Sequence, residues 1–304
     1  MKFHNAYYKI KKLIPRGLQI FLRRAIAAKK RKAYQSTWPI NPAAAAPPPG
    51  WNGWPDGKRF ALILTHDVDT AGGLDKCLPL MELERRIGFR SCFNFVPEDY
   101  PTPDEFRAAL VEAGFEVGVH GLKHDGKLFL NRRVFDKSAG RINEYMKKWG
   151  SVGFRAPSMH HNLEWIADLN LRYDSSTFDS DPFEPQSDDC GTIFPYWYTQ
   201  PKTSRRFVEL PYTLAQDHCL FVILQEKTFG VWKEKLDWIV QNGGMALLLT
   251  HPDYMNFGAA PCSREDYGIS LYSDFLEYIK TRYAGQYWHV LPRELAEFWW
   301  SIPV

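Results

Sequence analysis

From residue 59 onward, short apolar runs of strand length alternate with longer stretches of helical periodicity. This alternation constrains the fold more than any other feature of the chain. The runs fall at 60–65, 92–96, 115–119, 152–154, 171–173, 207–210, 245–249 and 288–291. Between them lie helical segments. One spans 74–87 and stops at Gly88, and one spans 103–113 with Pro103 at its start and Gly114 at its end. A third shows one apolar face through Phe135, Ile142, Tyr145, Met146 and Trp149, and others cover 231–241, 271–283 and 292–300. Strands separated by helices must be joined by crossovers, which makes the sheet parallel. Seven or eight such units predict a closed barrel rather than an open sheet. The stretch 181–206 breaks the pattern and reads as a long loop over one end, where long loops are more often functional than accidental.

The chain has 304 residues, of which 45% are hydrophobic, enough to bury a substantial core. Its formal charge of +3 is unevenly spread. Eleven of the 38 Lys and Arg residues lie within 1–50, a segment without Asp or Glu; the rest has 27 basic side chains against 35 acidic. Residues 1–38 form a basic amphipathic extension, 39–57 a linker rich in Pro, Ala and Trp, and 58–304 the α/β domain. Within 1–35, apolar clusters alternate with Lys and Arg, and Pro15 divides the segment. Two readings fit: helices lying on an anionic membrane surface, or a helix packed on the domain with its charges in water. The linker tryptophans Trp38, Trp51 and Trp54 are expected to anchor it to the body. Specific nucleic-acid binding is not expected, and nothing in the sequence speaks to oligomeric state.

Cys77, Cys92, Cys190, Cys219 and Cys262 show no CxxC pairing and are odd in number, as reduced cysteines usually are. The N-terminus lacks the apolar stretch and cleavage site of a signal peptide, and no segment reaches the roughly 20 apolar residues of a spanning helix. The expected location is the cytoplasm, peripheral to the inner face of the membrane.

Four clusters carry candidate chemistry, each just after an expected strand. In Leu64-Thr65-His66-Asp67-Val68-Asp69-Thr70, two carboxylates two residues apart share one side of an extended chain. One can bind a cation while the other handles a proton, although Asp-x-Asp also occurs in solvated turns and in nucleotide-sugar glycosyltransferases. In His120-Gly121-Leu122-Lys123-His124 the i, i+4 spacing suits two imidazoles on one metal in a helical turn, or else marks two unrelated surface histidines. Arg155, in Phe154-Arg155-Ala156-Pro157, is either an ordinary surface residue or one that lowers a nearby carboxylate's pKa. His251, in Leu249-Thr250-His251-Pro252, has the chemistry of a general acid. His160 and His161 are read as structural, and His4, His218 and His289 have no partner pattern. Tyr196, Trp197 and Tyr198 either stack on a sugar or pin their loop.

The ordered set Asp-x-Asp, HxxxH, Arg-x-Pro and Leu-x-His resembles the polysaccharide deacetylase family, the carbohydrate esterases that share the NodB homology region, over about residues 58–255. The resemblance implies a distorted, seven-stranded (β/α) barrel that removes acyl groups from N- or O-acetylated glycans. It implies Asp69, His120 and His124 as ligands of one divalent metal, with zinc the default and nickel, cobalt or iron compatible. It further implies Asp67 as catalytic base, Arg155 as the residue that orients it and His251 as general acid. Pro157, Asp174 and Trp197 are the candidate substrate contacts. The chain departs from the family's usual pattern in three places: Val68 separates the two Asp residues, His66 replaces an aromatic, and Gly121 stands where Ser or Thr is usual. These departures point away from exported chitin and peptidoglycan enzymes, toward a step in making exopolysaccharide, lipopolysaccharide or a lipid-linked sugar. The rival readings are hydrolysis of a non-sugar amide on the same fold, an Asp-x-Asp glycosyltransferase, and an inactive membrane-peripheral binding protein.

Overall fold

The computed structural model describes residues 16–258 and 262–302. The strands are β1 (Phe60–Val68), β2 (Cys92–Phe95), β3 (Glu116–His120), β4 (Gly153–Arg155), β5 (Tyr173–Asp174), β6 (Tyr196–Thr199), β7 (Arg206–Glu209), β8 (Met245–Thr250), β9 (Met255–Asn256), β10 (Tyr267–Gly268) and β11 (Tyr287–His289). The helices are α1 (Arg16–Ala33), α2 (Ala71–Ile87), α3 (Asp104–Glu112), α4 (Arg132–Trp149), α5 (Leu163–Ile166), α6 (Gly230–Asn242), α7 (Ser270–Arg282) and α8 (Pro292–Ser301).

Strands β1, β2, β3, β4, β5 and β7 pair in that order, all parallel, and β8 pairs with the free side of β1. The chain after β7 completes the circuit: Leu214 bridges to Leu248, and the Thr213 and Leu214 N–H groups donate to the Leu247 carbonyl at 3.1 and 3.2 Å. The result is a distorted (β/α) barrel with seven described strands in the circuit, as the family resemblance implied. Strand β11 occupies the edge of β1 below β2, pairing Phe60–Leu62 while β2 pairs Thr65–Val68.

The helix boundaries follow local chemistry. Thr70 and Asn131 accept backbone N–H bonds at the starts of α2 and α4, and left-handed Gly88 and Gly150 end them. The region 181–206 is not wholly loop. Tyr196–Thr199 forms β6, antiparallel to β7. Pro195 and Pro201 flank this aromatic run closely enough to disguise it as loop. After Asp217 the chain makes a wide π-type helical turn, His218–Ile223, in which the Leu224 N–H donates to the Cys219 carbonyl at 2.8 Å.

The segment before the barrel lies against it. Trp54 donates its indole N–H to the Gly243 carbonyl at 2.8 Å, Trp51 packs on Trp299, and Trp38 meets Phe183 edge-on. Helix α1 turns Ile20 and Ala27 inward, the latter onto Val222 and Ile223 of the π-type turn. Arg24 reinforces that contact with two bonds to the Val222 carbonyl, 3.1 and 2.9 Å. The outer side of α1 leaves Leu18, Phe21, Leu22 and Ile26 exposed. The rest of the basic segment, residues 1–15, lies outside the described residues. Among the described residues no helix is long and apolar enough to cross a membrane. All five cysteines are free.

Candidate metal and hydrolytic centre

Alternation along β1 and its extension assigns the first motif. Thr65, Asp67 and Asp69 face the barrel interior, whereas His66 faces the helix layer. There its ring lies between the Thr250 hydroxyl, 2.7 Å away, and the Glu84 carboxylate of α2, 2.8 Å away. Glu84 also accepts bonds from Ser91 and Tyr272. The histidine that replaces the usual aromatic therefore ties α2, α7 and β8 to β1 and takes no part in the cavity.

Asp67, Asp69, His120, His124 and His251 meet in one cavity of about 360 Å³ at the carboxyl ends of the strands, within the roughly 300–1,000 Å³ of small-molecule sites. The Asp69 carboxylate oxygen Oδ1 lies 3.4 Å from Nε2 of His120 and 3.4 Å from Nε2 of His124. The three donor atoms all fall within 4.8 Å of one another. Asp69 Oδ1 is buried and has no hydrogen-bond partner. His120 Nδ1 lies 3.2 Å from the Arg155 carbonyl, which can only accept, so the ring proton is fixed on Nδ1. The ring's Nε2 and the unpartnered Asp69 oxygen face the same space, which a shared cation would fill. The residues present thus fit a divalent metal.

The two histidines do not share a helical turn, contrary to the expectation from their spacing. His120 ends β3 and His124 sits in the loop beyond it, with its N–H on the Asp99 carboxylate at 2.6 Å. The chain reverses at Gly121, where φ is +65°. A Cβ at Gly121 would lie 2.3 Å from Cγ of Pro157. Backbone sign and packing therefore both disfavour the usual Ser or Thr. Pro157 braces the histidine loop from behind and does not line the cavity.

Asp67 accepts a bond from the Asn94 side-chain amide at 2.9 Å, and Nε of Arg155 lies 4.0 Å from the same oxygen. Arg155 is fully buried and donates to the Thr65 and Ser175 hydroxyls at 3.1 and 3.0 Å. Burial alone would raise both motif carboxyls. For Asp67 the charges of His120, Arg155 and His251 outweigh it, and for Asp69 the facing histidines do, so both are held below their ordinary values.

His251 is clamped by Asp217, a residue that the sequence reading did not single out. Asp217 takes the His251 backbone N–H and ring Nδ1 at 2.8 Å each, plus the Tyr267 hydroxyl at 2.9 Å. Burial opposes the imidazolium, but the Asp217 carboxylate outweighs burial, and the His251 pKa rises to about 10.

Two expected contacts lie elsewhere. Tyr173 and Ser175 face the barrel interior, reaching Glu116 and Arg155, so alternation turns Asp174 the other way, where it accepts from the Ser176 hydroxyl at 2.7 Å. Trp197 on β6 packs edge-on to Trp300 with ring centroids 4.6 Å apart, under the Arg206 guanidinium. It pins the hairpin and does not line the cavity.

Much of the remaining lining consists of residues that the motifs did not reveal: Arg23, Ile26, Ala27 and Lys30 of α1, Phe183 and Glu184, and His218 and Cys219 of the π-type turn. His160 also lines the cavity. Desolvation, with the Asp181 carboxylate adding to it, pushes the Glu184 carboxyl up to about 8.

Searched by sequence, the chain matches no family model and no curated protein. Solved structures do match it. A Mycobacterium smegmatis protein assigned as a polysaccharide deacetylase superposes with a TM-score of 0.63 at 19% identity, over 81% of this chain and 92% of that one. The fold is that of the polysaccharide deacetylases. A Pseudomonas aeruginosa PAO1 protein with the same assignment gives 0.61 at 15% identity, over 81% and 92% of the two chains. Puue allantoinase gives 0.64 at 16% identity, over 86% and 97%.

Proposed function

We propose that the protein is a metal-dependent hydrolase that removes an N-acetyl or related acyl group from a sugar, in the synthesis of an exopolysaccharide, a lipopolysaccharide or a lipid-linked sugar. The observation that carries this reading is the buried, unpartnered Asp69 oxygen between two imidazole nitrogens, beside a second carboxylate and a clamped histidine. Asp69, His120 and His124 would hold the ion; their donor set suits zinc, and nickel, cobalt or iron also accept it. A divalent ion there supplies a water of lowered pKa and polarises the acyl carbonyl.

The chain's own residues do the remaining work. Asp67, kept ionised by its cationic neighbours, takes a proton from the attacking water. Arg155 and Asn94 hold the carboxylate in place for that transfer. As the new C–O bond forms and the C–N bond breaks, protonated His251 delivers its Nε2 proton to the leaving nitrogen, while Asp217 fixes Nδ1. The products are a carboxylate and a free amino sugar. An Asp-x-Asp glycosyltransferase would leave the two histidines and the His251–Asp217 pair without a role. Hydrolysis of a non-sugar amide is the second reading, favoured by the likeness to an allantoinase. Purified protein supplied with zinc, nickel, cobalt or iron should release acetate from an N-acetylhexosamine derivative. Failure on every N-acetylated sugar, with turnover of a cyclic ureide, would replace the first reading by the second.

A further inference from the structure

Helix α1 does more than cover the barrel. Arg23, Ile26, Ala27 and Lys30 follow i, i+3, i+4, i+7 spacing, so one stripe of the helix forms a wall of the catalytic cavity. That wall is cationic. Arg23 is exposed, and Lys30 is half-buried, using one of its three N–H donors on the Pro182 carbonyl at 2.5 Å. Glu184, on the same side, is occupied as an acceptor for the Tyr212 hydroxyl and the Gln216 amide. The same cavity is lined by Asp67 and Asp69 with their histidines, which come from the strand ends and not from α1. The cavity therefore has an end suited to the reacting acyl group and an end suited to an anion. A second feature starts at the same place. Leu18, Leu22 and Ile26, spaced by four residues and flanked by Phe21, make an exposed apolar stripe on α1, and Ile26 brings it to the cavity mouth.

We infer that the substrate is an acylamino sugar joined through phosphate to a lipid. The sugar enters the cavity, the phosphate meets Arg23 and Lys30, and the hydrocarbon follows the Leu18–Leu22–Ile26 stripe. This inference rests on the hydrolase reading for the fate of the acyl group but not for the binding geometry.

The test measures binding and acetate release separately on the full chain. Binding is measured with the Asp67→Asn variant, which leaves the ligand intact, and release with the wild type. The probes are N-acetylglucosamine phosphate esterified to farnesol, the neutral farnesyl glycoside of the same sugar, N-acetylglucosamine 1-phosphate without lipid, and UDP-N-acetylglucosamine. The farnesyl phosphodiester should bind about tenfold or more tighter than either the neutral glycoside or the lipid-free phosphate, as a charge-assisted contact and a buried tail each allow. Arg23→Glu should erase the preference for phosphate, and Arg23→Lys should restore most of it; the site is exposed, so neither change threatens folding. The double variant Leu18→Ser, Leu22→Ser should weaken the farnesyl diester but not the lipid-free phosphate. Equal binding of neutral and phosphorylated probes, indifference to Arg23→Glu, or tightest binding of the nucleotide sugar would each overturn the inference. Selective, Arg23-dependent binding without acetate release would uphold it and sink the hydrolase reading. Release from the neutral glycoside without Arg23-dependent selectivity would do the reverse.

Discussion

One wall of the cavity is borne by strands and the other by added segments, and the two are held to different tolerances. The first takes Asp67, Asp69, His120 and His251 from the ends of β1, β3 and β8, where paired backbones fix each side chain. Behind them stand Arg155, Asn94 and Asp217, buried and hydrogen-bonded. The second takes its side chains from α1, the π-type turn and the segment around Phe183, joined by contacts such as Ala27 on Val222 and Arg24 on the Val222 carbonyl. In a barrel of this kind, reacting groups sit on rigid strand ends, while segments added around them shape what can enter. Perturbing the first wall should damage turnover, and perturbing the second should change which substrate is accepted.

The sharpest way to break that division is Asp217→Asn. It keeps the size of the clamp but removes the charge that lifts His251. The folded-state pKa of His251, about 10, lies above its ordinary value, so the acid form is available until pH rises through about 10. Without the Asp217 charge the alkaline limb of the kcat profile should move down toward about 6.5, the ordinary histidine value. The catalytic constant at pH 8 should fall by roughly 10²-fold, the low end for a positioned acid. The same sign governs stability. The charged pair stabilises the fold fully below His251's unfolded pKa, and that share is lost as pH rises through the folded value. An alkaline limb that stays where it was would show that His251 is not the acid.

A smaller effect is expected behind the strand-borne wall. Gly121→Ser restores the usual residue but places a side chain at φ +65°, against Pro157. It should cost about 1–3 kcal/mol, seen as a lower urea midpoint with unchanged slope. Adding Pro157→Ala should recover part of the loss by removing the clash. If Gly121→Ser melts like the wild type, the histidine loop is not held as described.

The smallest catalytic effect belongs to Trp197→Ala. Trp197 packs on Trp300 away from the cavity, so the change should lower stability by about 1–2 kcal/mol and leave KM and kcat for any substrate unaltered. A raised KM would return Trp197 to the role first expected of it.

The barrel was legible because its strands and helices each carry their own period and, as at Gly88, a stop signal where the helix ends. The side-by-side placement of Asp67 and Asp69 was legible for the same reason, since two residues make one strand period. Asp174 was misjudged by one position; Ser175, its neighbour on the interior face, reaches Arg155. Asp217 was hidden because its partner is 34 residues away in sequence and a π-type turn, which leaves no periodic trace, begins just after it. The wall made by α1 was hidden because amphipathic spacing tells which residues share a stripe, not which surface that stripe will meet.

The central claim is that Asp69 holds a metal and Asp67 handles the proton. It is tested most directly by elemental analysis beside turnover for Asp67→Asn and Asp69→Asn. The account predicts that Asp67→Asn retains a stoichiometric metal while kcat falls by roughly 10²–10⁴, the usual contribution of a positioned base, and that Asp69→Asn loses the metal, with activity partly restored by excess. Loss of metal from Asp67→Asn together with its retention in Asp69→Asn would contradict the assignment, and full metal and full activity in both would contradict the mechanism.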